Sequence, residues 1–153
     1  VPLFLTAHHC LDSANDAADV VVYWNYQSAT CRTPGSAASG SPLSRGIASH
    51  TQSGASLLAT NSSSDFTLLR LSTNVPSGAN AFWSGWDRRD YTPSGAIAIH
   101  HPAGHEKRIS EEVNPLAISA YQGNPGSGSN YLRVADWDQG TTEGGSSGSG
   151  LWD

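Results

Sequence analysis

Val20-Val21-Val22-Tyr23-Trp24 sets five β-branched or aromatic residues in succession, the strongest β signal in the chain. Such side chains suit a pleated, half-buried surface and lose χ1 freedom in a helix. The run predicts a strand over Asp19–Tyr26. Outward from it, short apolar or alternating runs bounded by Gly, Pro, Asn and Ser predict strands at Pro2–Thr6, Ala55–Thr60, Phe66–Leu71, Gly95–His100, Lys107–Glu111, Tyr131–Trp137 and Ser149–Trp152. Helical periodicity is nearly absent. Leu11–Ala18 alone supports a turn or two, capped by Asp12 or Ser13. The expected class is all-β, a sandwich or barrel. Ser72–Asn80 has linker composition and divides the chain near its middle. Cys31–Ser44 and Gln122–Asn130 read as exposed loops, the second built on an Asn124-Pro125-Gly126 turn.

A chain of 153 residues fits one domain or two small lobes and can bury a real core. Its net charge of −5 argues against nucleic acid as a main partner, since that partner demands a basic patch. No apolar run reaches membrane-spanning length, so no membrane partner is expected, and no signal peptide is visible. There is no methionine, the first residues Val1-Pro2-Leu3-Phe4-Leu5 already read as strand, and Leu151-Trp152-Asp153 stops within another. The expectation is a piece of a longer protein, truncated at both ends. Cys10 and Cys31 either bridge each other, which suits an oxidising location, or pair with cysteines outside this stretch. Lys107 is the single lysine against seven arginines. Codon bias explains that count, and so does a lysine-cutting protease that withholds its own bonds.

Three segments carry chemistry. Gly140-Thr141-Thr142-Glu143-Gly144-Gly145-Ser146-Ser147-Gly148-Ser149-Gly150-Leu151 offers a serine among glycines at the start of an apolar segment. Glycine permits sharp or left-handed backbone, so successive N–H groups can converge on an oxyanion. Taken alone, a Gly/Ser run is also what a linker looks like. Thr6-Ala7-His8-His9-Cys10 places a histidine after an apolar strand, and Ser64-Asp65-Phe66-Thr67-Leu68-Leu69 places an aspartate at the mouth of another. Serine becomes a nucleophile when a neutral imidazole takes its proton and a carboxylate fixes the ring's tautomer. The candidate set is therefore Ser147 as nucleophile, His9 as general base and acid, and Asp65 as orienter. The N–H groups of Gly145 and Ser147 are the candidate oxyanion hole.

Other readings of the same residues are weaker. Gly144-Gly145-Ser146-Ser147-Gly148 also satisfies G-x-S-x-G with Ser146 as an elbow nucleophile, but that fold needs helices before the serine and a histidine after it. His8-His9-Cys10 with His100-His101 and His105 suggests zinc. Adjacent histidines in a strand point to opposite faces, however, and no tight ligand spacing occurs, so no metal is expected. His100-His101-Pro102 reads as a strand end and turn. The five tryptophans are scattered, as packing residues are, rather than grouped as a carbohydrate platform. The rival from another class is a protease-like fold kept for binding, against which stands the retention of His9, Asp65 and Ser147 together.

Leu5-Thr6-Ala7-His8-His9-Cys10, Ser64-Asp65-Phe66-Thr67-Leu68-Leu69 and Gly144-Gly145-Ser146-Ser147-Gly148-Ser149 together resemble the trypsin/chymotrypsin-like serine proteases. Ser84-Gly85-Trp86-Asp87, the stretch from His100-His101-Pro102 to Arg108-Ile109-Ser110, and Trp137 with Gly140-Thr141-Thr142-Glu143 narrow the likeness to the bacterial lysyl endopeptidase group. The resemblance covers nearly the whole chain. It implies a double β-barrel of the chymotrypsin type with the site between the barrels. The first lobe is then residues 1–75, with His9 and Asp65 but without its opening strands. The second is residues 81–153, with Ser147 but without its final strands. It also implies a secreted, monomeric bacterial serine endopeptidase acting on polypeptides, cutting after lysine or arginine, with neither metal nor organic cofactor. By the family pattern the cysteine after the histidine pairs upstream, so Cys10 and Cys31 need not pair with each other.

Two departures matter. Ser146 stands where many trypsin-like enzymes carry an aspartate before the nucleophile, so a salt bridge to a new N-terminus cannot be the activation switch. Thr141 stands where trypsin has its pocket acid, and in the lysyl endopeptidase group that acid comes from a later strand, beyond Asp153.

Overall fold

The structure is a computed structural model that describes residues 2–42, 50–121 and 131–153. The Asn124-Pro125-Gly126 turn and part of the Cys31–Ser44 loop fall outside the described residues. Strand is the prevailing regular structure among the described residues and the sheets are antiparallel, which agrees with the all-β expectation. Ten strands are described: β1 Leu3–Thr6, β2 Val21–Trp24, β3 His50–Ser53, β4 Ala55–Asn61, β5 Phe66–Leu71, β6 Ala96–His100, β7 Arg108–Glu112, β8 Ala117–Ser119, β9 Tyr131–Arg133 and β10 Leu151–Trp152. They form sheets of order β1-β5-β4, β10-β6-β7, β2-β3 and β8-β9. Among the described residues no sheet closes into a barrel. No sheet mixes strands from before and after the Ser72–Asn80 stretch, within which Ser77–Ala79 makes a 3-10 turn.

The central strand β5 has the boundaries its pattern predicts. Thr67, Leu69 and Leu71 alternate inward with period two, and Leu69 is fully buried. Around them lie Leu11, Ala17 and Ala55, flanked by Phe4, Val20, Val22, Trp24 and Leu57. The helix α1, Ala14–Asp19, begins later than the expected Leu11. Its cap is Ser13 rather than Asp12, with Ser13 Oγ accepting the Asp16 N–H at 3.1 Å.

β2 is shorter than predicted. Asp19 ends α1, and Asn25 turns to φ +58°, a conformation that closes a strand. Tyr131–Trp137 likewise shrinks to Tyr131–Arg133. β3 and β8 escaped the sequence reading. His50-Thr51-Gln52-Ser53 has no apolar alternation and is strand because it pairs with β2 from Trp24 to Val21.

In the second half the buried positions of β6 and β7 are small or polar. Ala96, Ala98 and His100 alternate inward on β6, opposite Glu112, Ser110 and Arg108 of β7. Buried Glu106 is paired with Arg108 at 2.9 Å and Arg32 at 3.4 Å. Those guanidinium groups also donate to the carbonyls of Ser39 and Ser41. Charge compensation is what lets a carboxylate sit there. Cys10 and Cys31 are free and exposed, so they do not bridge each other.

Candidate active site

His9 lies in the 3-10 turn His8–Cys10 that follows β1, and Asp65 closes the β4–β5 hairpin. Asp65 takes φ +51°, a left-handed conformation that aspartate tolerates better than most residues. Asn61 Oδ1 holds the preceding turn, accepting the Ser64 N–H and the Ser64 hydroxyl, each at 3.0 Å. Asp65 thereby faces His9 from across the sheet. His9 donates its backbone N–H to Asp65 Oδ1 at 3.0 Å, and His9 Nδ1 lies 2.8 Å from Asp65 Oδ2. The neighbouring His8 turns away, its Nδ1 2.7 Å from Thr60 Oγ1. The two histidines therefore diverge, although they lie in a 3-10 turn and not in a strand.

Ser147 arrives from the other half of the chain, 138 residues on in sequence. Its Oγ lies 2.8 Å from His9 Nε2. His9, Asp65 and Ser147 thus form one hydrogen-bonded row, with the imidazole between the carboxylate and the hydroxyl. An ionised carboxylate accepts only, so Asp65 takes Nδ1–H and leaves the Nε2 lone pair facing the serine. About half of the His9 side chain is open to solvent, whereas Asp65 is 15% exposed.

The glycines of the serine turn are required by close approach. Gly145 has φ +94°, and a Cβ there would lie 3.1 Å from the His101 carbonyl oxygen and 3.2 Å from the Ala103 nitrogen. Gly148 has φ +78°, and a Cβ there would collide with Thr6 Oγ1 and come 2.9 Å from the Ala7 nitrogen. The turn is pinned by the Ala103 N–H to the Gly144 carbonyl at 2.7 Å and by the Ser146 N–H to Glu143 at 2.9 Å. Among the described residues, no hydrogen bond occupies the backbone N–H of Gly145 or of Ser147.

Tyr121 was missed by sequence reasoning. Its hydroxyl donates to Asp65 Oδ2 at 2.9 Å, beside His9. Partial burial pushes the Asp65 carboxyl up, but the hydrogen bonds from the His9 backbone, the His9 ring and Tyr121 outweigh it and hold the group below 3.8. The same contact raises the Tyr121 phenol, chiefly because its proton is shared with a carboxylate. Tyr131 packs against Tyr121 and donates to the Ser63 carbonyl, so two aromatic side chains brace the turn that carries Asp65. Nothing in the local sequence marks either tyrosine, because the relation is purely tertiary.

The family model described as "Lysyl endopeptidase, C-terminal domain" matches residues 1–153. The chain belongs to that family. Among curated proteins it is similar to the lysyl endopeptidase of Pseudomonas aeruginosa, 31% identical over 152 residues. That alignment covers 97% of this chain but only 30% of the relative's length. Among the described residues of this lysyl endopeptidase family member, no group of three His, Cys, Asp or Glu side chains is placed to hold a metal ion. No described helix is long and apolar enough to cross a membrane.

Proposed function

We propose that the chain is the core of a secreted bacterial serine endopeptidase, with His9, Asp65 and Ser147 as its catalytic residues. The observation that carries this reading is the His9 ring held 2.8 Å from Asp65 Oδ2 on one side and 2.8 Å from Ser147 Oγ on the other. In the proposed reaction Ser147 Oγ attacks the peptide carbonyl as His9 Nε2 takes its proton. The carbonyl oxygen becomes an oxyanion facing the N–H groups of Gly145 and Ser147. His9 then protonates the leaving amine, and water, activated by the same ring, hydrolyses the acyl-enzyme. Asp65 remains ionised and stabilises the imidazolium. The proposed chemistry uses these side chains, the backbone N–H groups of Gly145 and Ser147, and water.

The proposed architecture is the chymotrypsin-type double barrel, with residues 1–75 and 81–153 contributing to separate lobes and the site between them. Its support is that every described sheet draws its strands from one side of the central stretch, while the His9–Ser147 contact joins the two sides. The family match supports cleavage after lysine. Arginine as the second choice, polypeptide substrates and a monomeric protein are part of the same proposal.

The test is a fluorophosphonate probe on the full-length protein. Labelling is expected at Ser147 and is abolished by Ser147→Ala and by His9→Ala. Labelling that survives Ser147→Ala, or that maps to Ser146, overturns the assignment. A folded protein that never labels is a binding module instead. Cleavage of mixed peptides without a basic preference would remove the lysyl specificity alone.

A further inference from the structure

The buried histidine outside this row, His100, has every hydrogen-bond role fixed by its neighbours. Ser110 Oγ donates to the Thr141 carbonyl at 2.9 Å, which uses the hydroxyl's single proton. Ser110 Oγ, 3.1 Å from His100 Nε2, can then only accept, so Nε2 carries the ring proton. In the neutral ring Nδ1 is left as an acceptor. It lies 2.8 Å from Ser146 Oγ, whose proton it takes. Ser146 Oγ in turn accepts the Glu143 N–H at 3.2 Å. The chain runs without a break from Glu143 through Ser146, His100 and Ser110 to Thr141, and it ends on the same loop where it began.

Ser146 is bound at every polar atom. Its N–H donates to Glu143, its carbonyl accepts the Ser149 N–H at 3.2 Å, and its hydroxyl lies between Glu143 and His100. Ser147 is the next residue, and among the described residues its Oγ has His9 as its sole hydrogen-bond partner. Consecutive Cα atoms are about 3.8 Å apart across a rigid peptide plane, so anchoring Ser146 at all its polar atoms narrows the positions open to Ser147.

We infer that His100 is a positioning residue for the nucleophile turn: fixed as its Nε2–H tautomer by Ser110, it holds Ser146 Oγ and thereby aims Ser147 Oγ and the N–H groups of Gly145 and Ser147. The side chain at 146 therefore keeps an anchoring role although it is not an aspartate. The inference rests on the proposed reaction at Ser147.

The test uses the full-length protein and the half-exposed Ser146, whose replacement leaves the buried core intact. Ser146→Ala is expected to lower kcat about tenfold to hundredfold while KM changes less than about threefold, since misaimed transition-state donors weaken the transition state and not the substrate complex. The Ser146→Ala, His100→Gln double variant is expected to be no slower than the slower single variant, because both cut one chain. Independently of activity, the imidazole nitrogen NMR shifts of His100 at neutral pH should report Nε2–H with Nδ1 unprotonated. An unchanged kcat in Ser146→Ala, a loss confined to KM, multiplicative losses in the double variant, or an Nδ1–H tautomer each overturns the inference. A wild-type protein that never labels at Ser147 overturns the proposed function, and the positioning role falls with it.

Discussion

Tyr121 and His9 share one oxygen of Asp65: the phenol reaches Oδ2 at 2.9 Å and the imidazole reaches it at 2.8 Å. Two donors on a single carboxylate oxygen fix its direction more firmly than either alone. Tyr121→Phe keeps the ring and removes one donor. Its expected effect is a fall in kcat of about threefold to tenfold, which corresponds to a hydrogen bond of about 1 kcal/mol. Steady-state kinetics at neutral pH check it, and unchanged kinetics would strip Tyr121 of that role.

Asp65→Asn should be far more damaging. An amide can donate to His9 Nδ1, which favours the tautomer with its proton on Nε2, where it faces Ser147 uselessly. A loss on the order of 10⁴-fold in kcat is expected. A variant that retains more than about a tenth of the activity would rule out Asp65 as the orienting carboxylate.

Stability should respond to pH through two groups, one from each half of the chain. Asp65 titrates below 3.8 when folded, so the unfolded chain binds its proton first as pH falls. The stability from Asp65 is fully present above about pH 3.8 and disappears as pH drops through the folded value. His100 is lowered from 6.5, first by burial and then by charge interactions with His101 and Arg108, against an opposing pull from Glu143. Below pH 6.5 the unfolded chain protonates this histidine and the folded chain resists, so stability falls as pH falls. Denaturant titrations between pH 7 and 5 should show that slope in the wild type, and His100→Gln should flatten it.

Gly148→Ala tests the fit of the serine turn against β1. The new methyl meets Thr6 Oγ1 and the backbone of Ala7, and φ +78° is strained for any L side chain. A destabilisation of about 1–3 kcal/mol is expected, with loss of labelling at Ser147. A variant with normal melting and normal labelling would contradict this packing.

Leu69→Ala probes the core at its fully buried centre. The lost side chain leaves a cavity between β1 and β4, the neighbours of β5. A loss of about 2–5 kcal/mol is expected from chemical denaturation.

Legibility in the sequence followed how local each relationship is. Phe66–Leu71 was readable to the residue, because burial on one face leaves its period in the pattern. Ser13 and α1 were readable to within a few positions. His9, Asp65 and Ser147 could be picked out because each sits in a distinctive short motif, and they lie in one hydrogen-bonded row. β3 was invisible, since His50-Thr51-Gln52-Ser53 owes its strand to the partner that it meets. Tyr121 and His100 were invisible as site neighbours for a similar reason. An aromatic after an apolar run and a histidine at a strand end look like packing until the chain folds. The curvature that decides between open sheet and closed barrel leaves no simple trace in residue type at all.

The serine turn touches both halves of the molecule, Gly148 against Thr6 and Ala7, Gly145 against His101 and Ala103. Its geometry is therefore a property of the finished assembly and is lacking in either half. The Ser147–His9 contact spans 138 residues of sequence, so it carries the loop-closure cost of a long-range pairing. On the proposed reaction, a half-folded copy would be silent toward its neighbours, and crowded, newly made chains would gain the power to cut only after they had themselves become hard to cut.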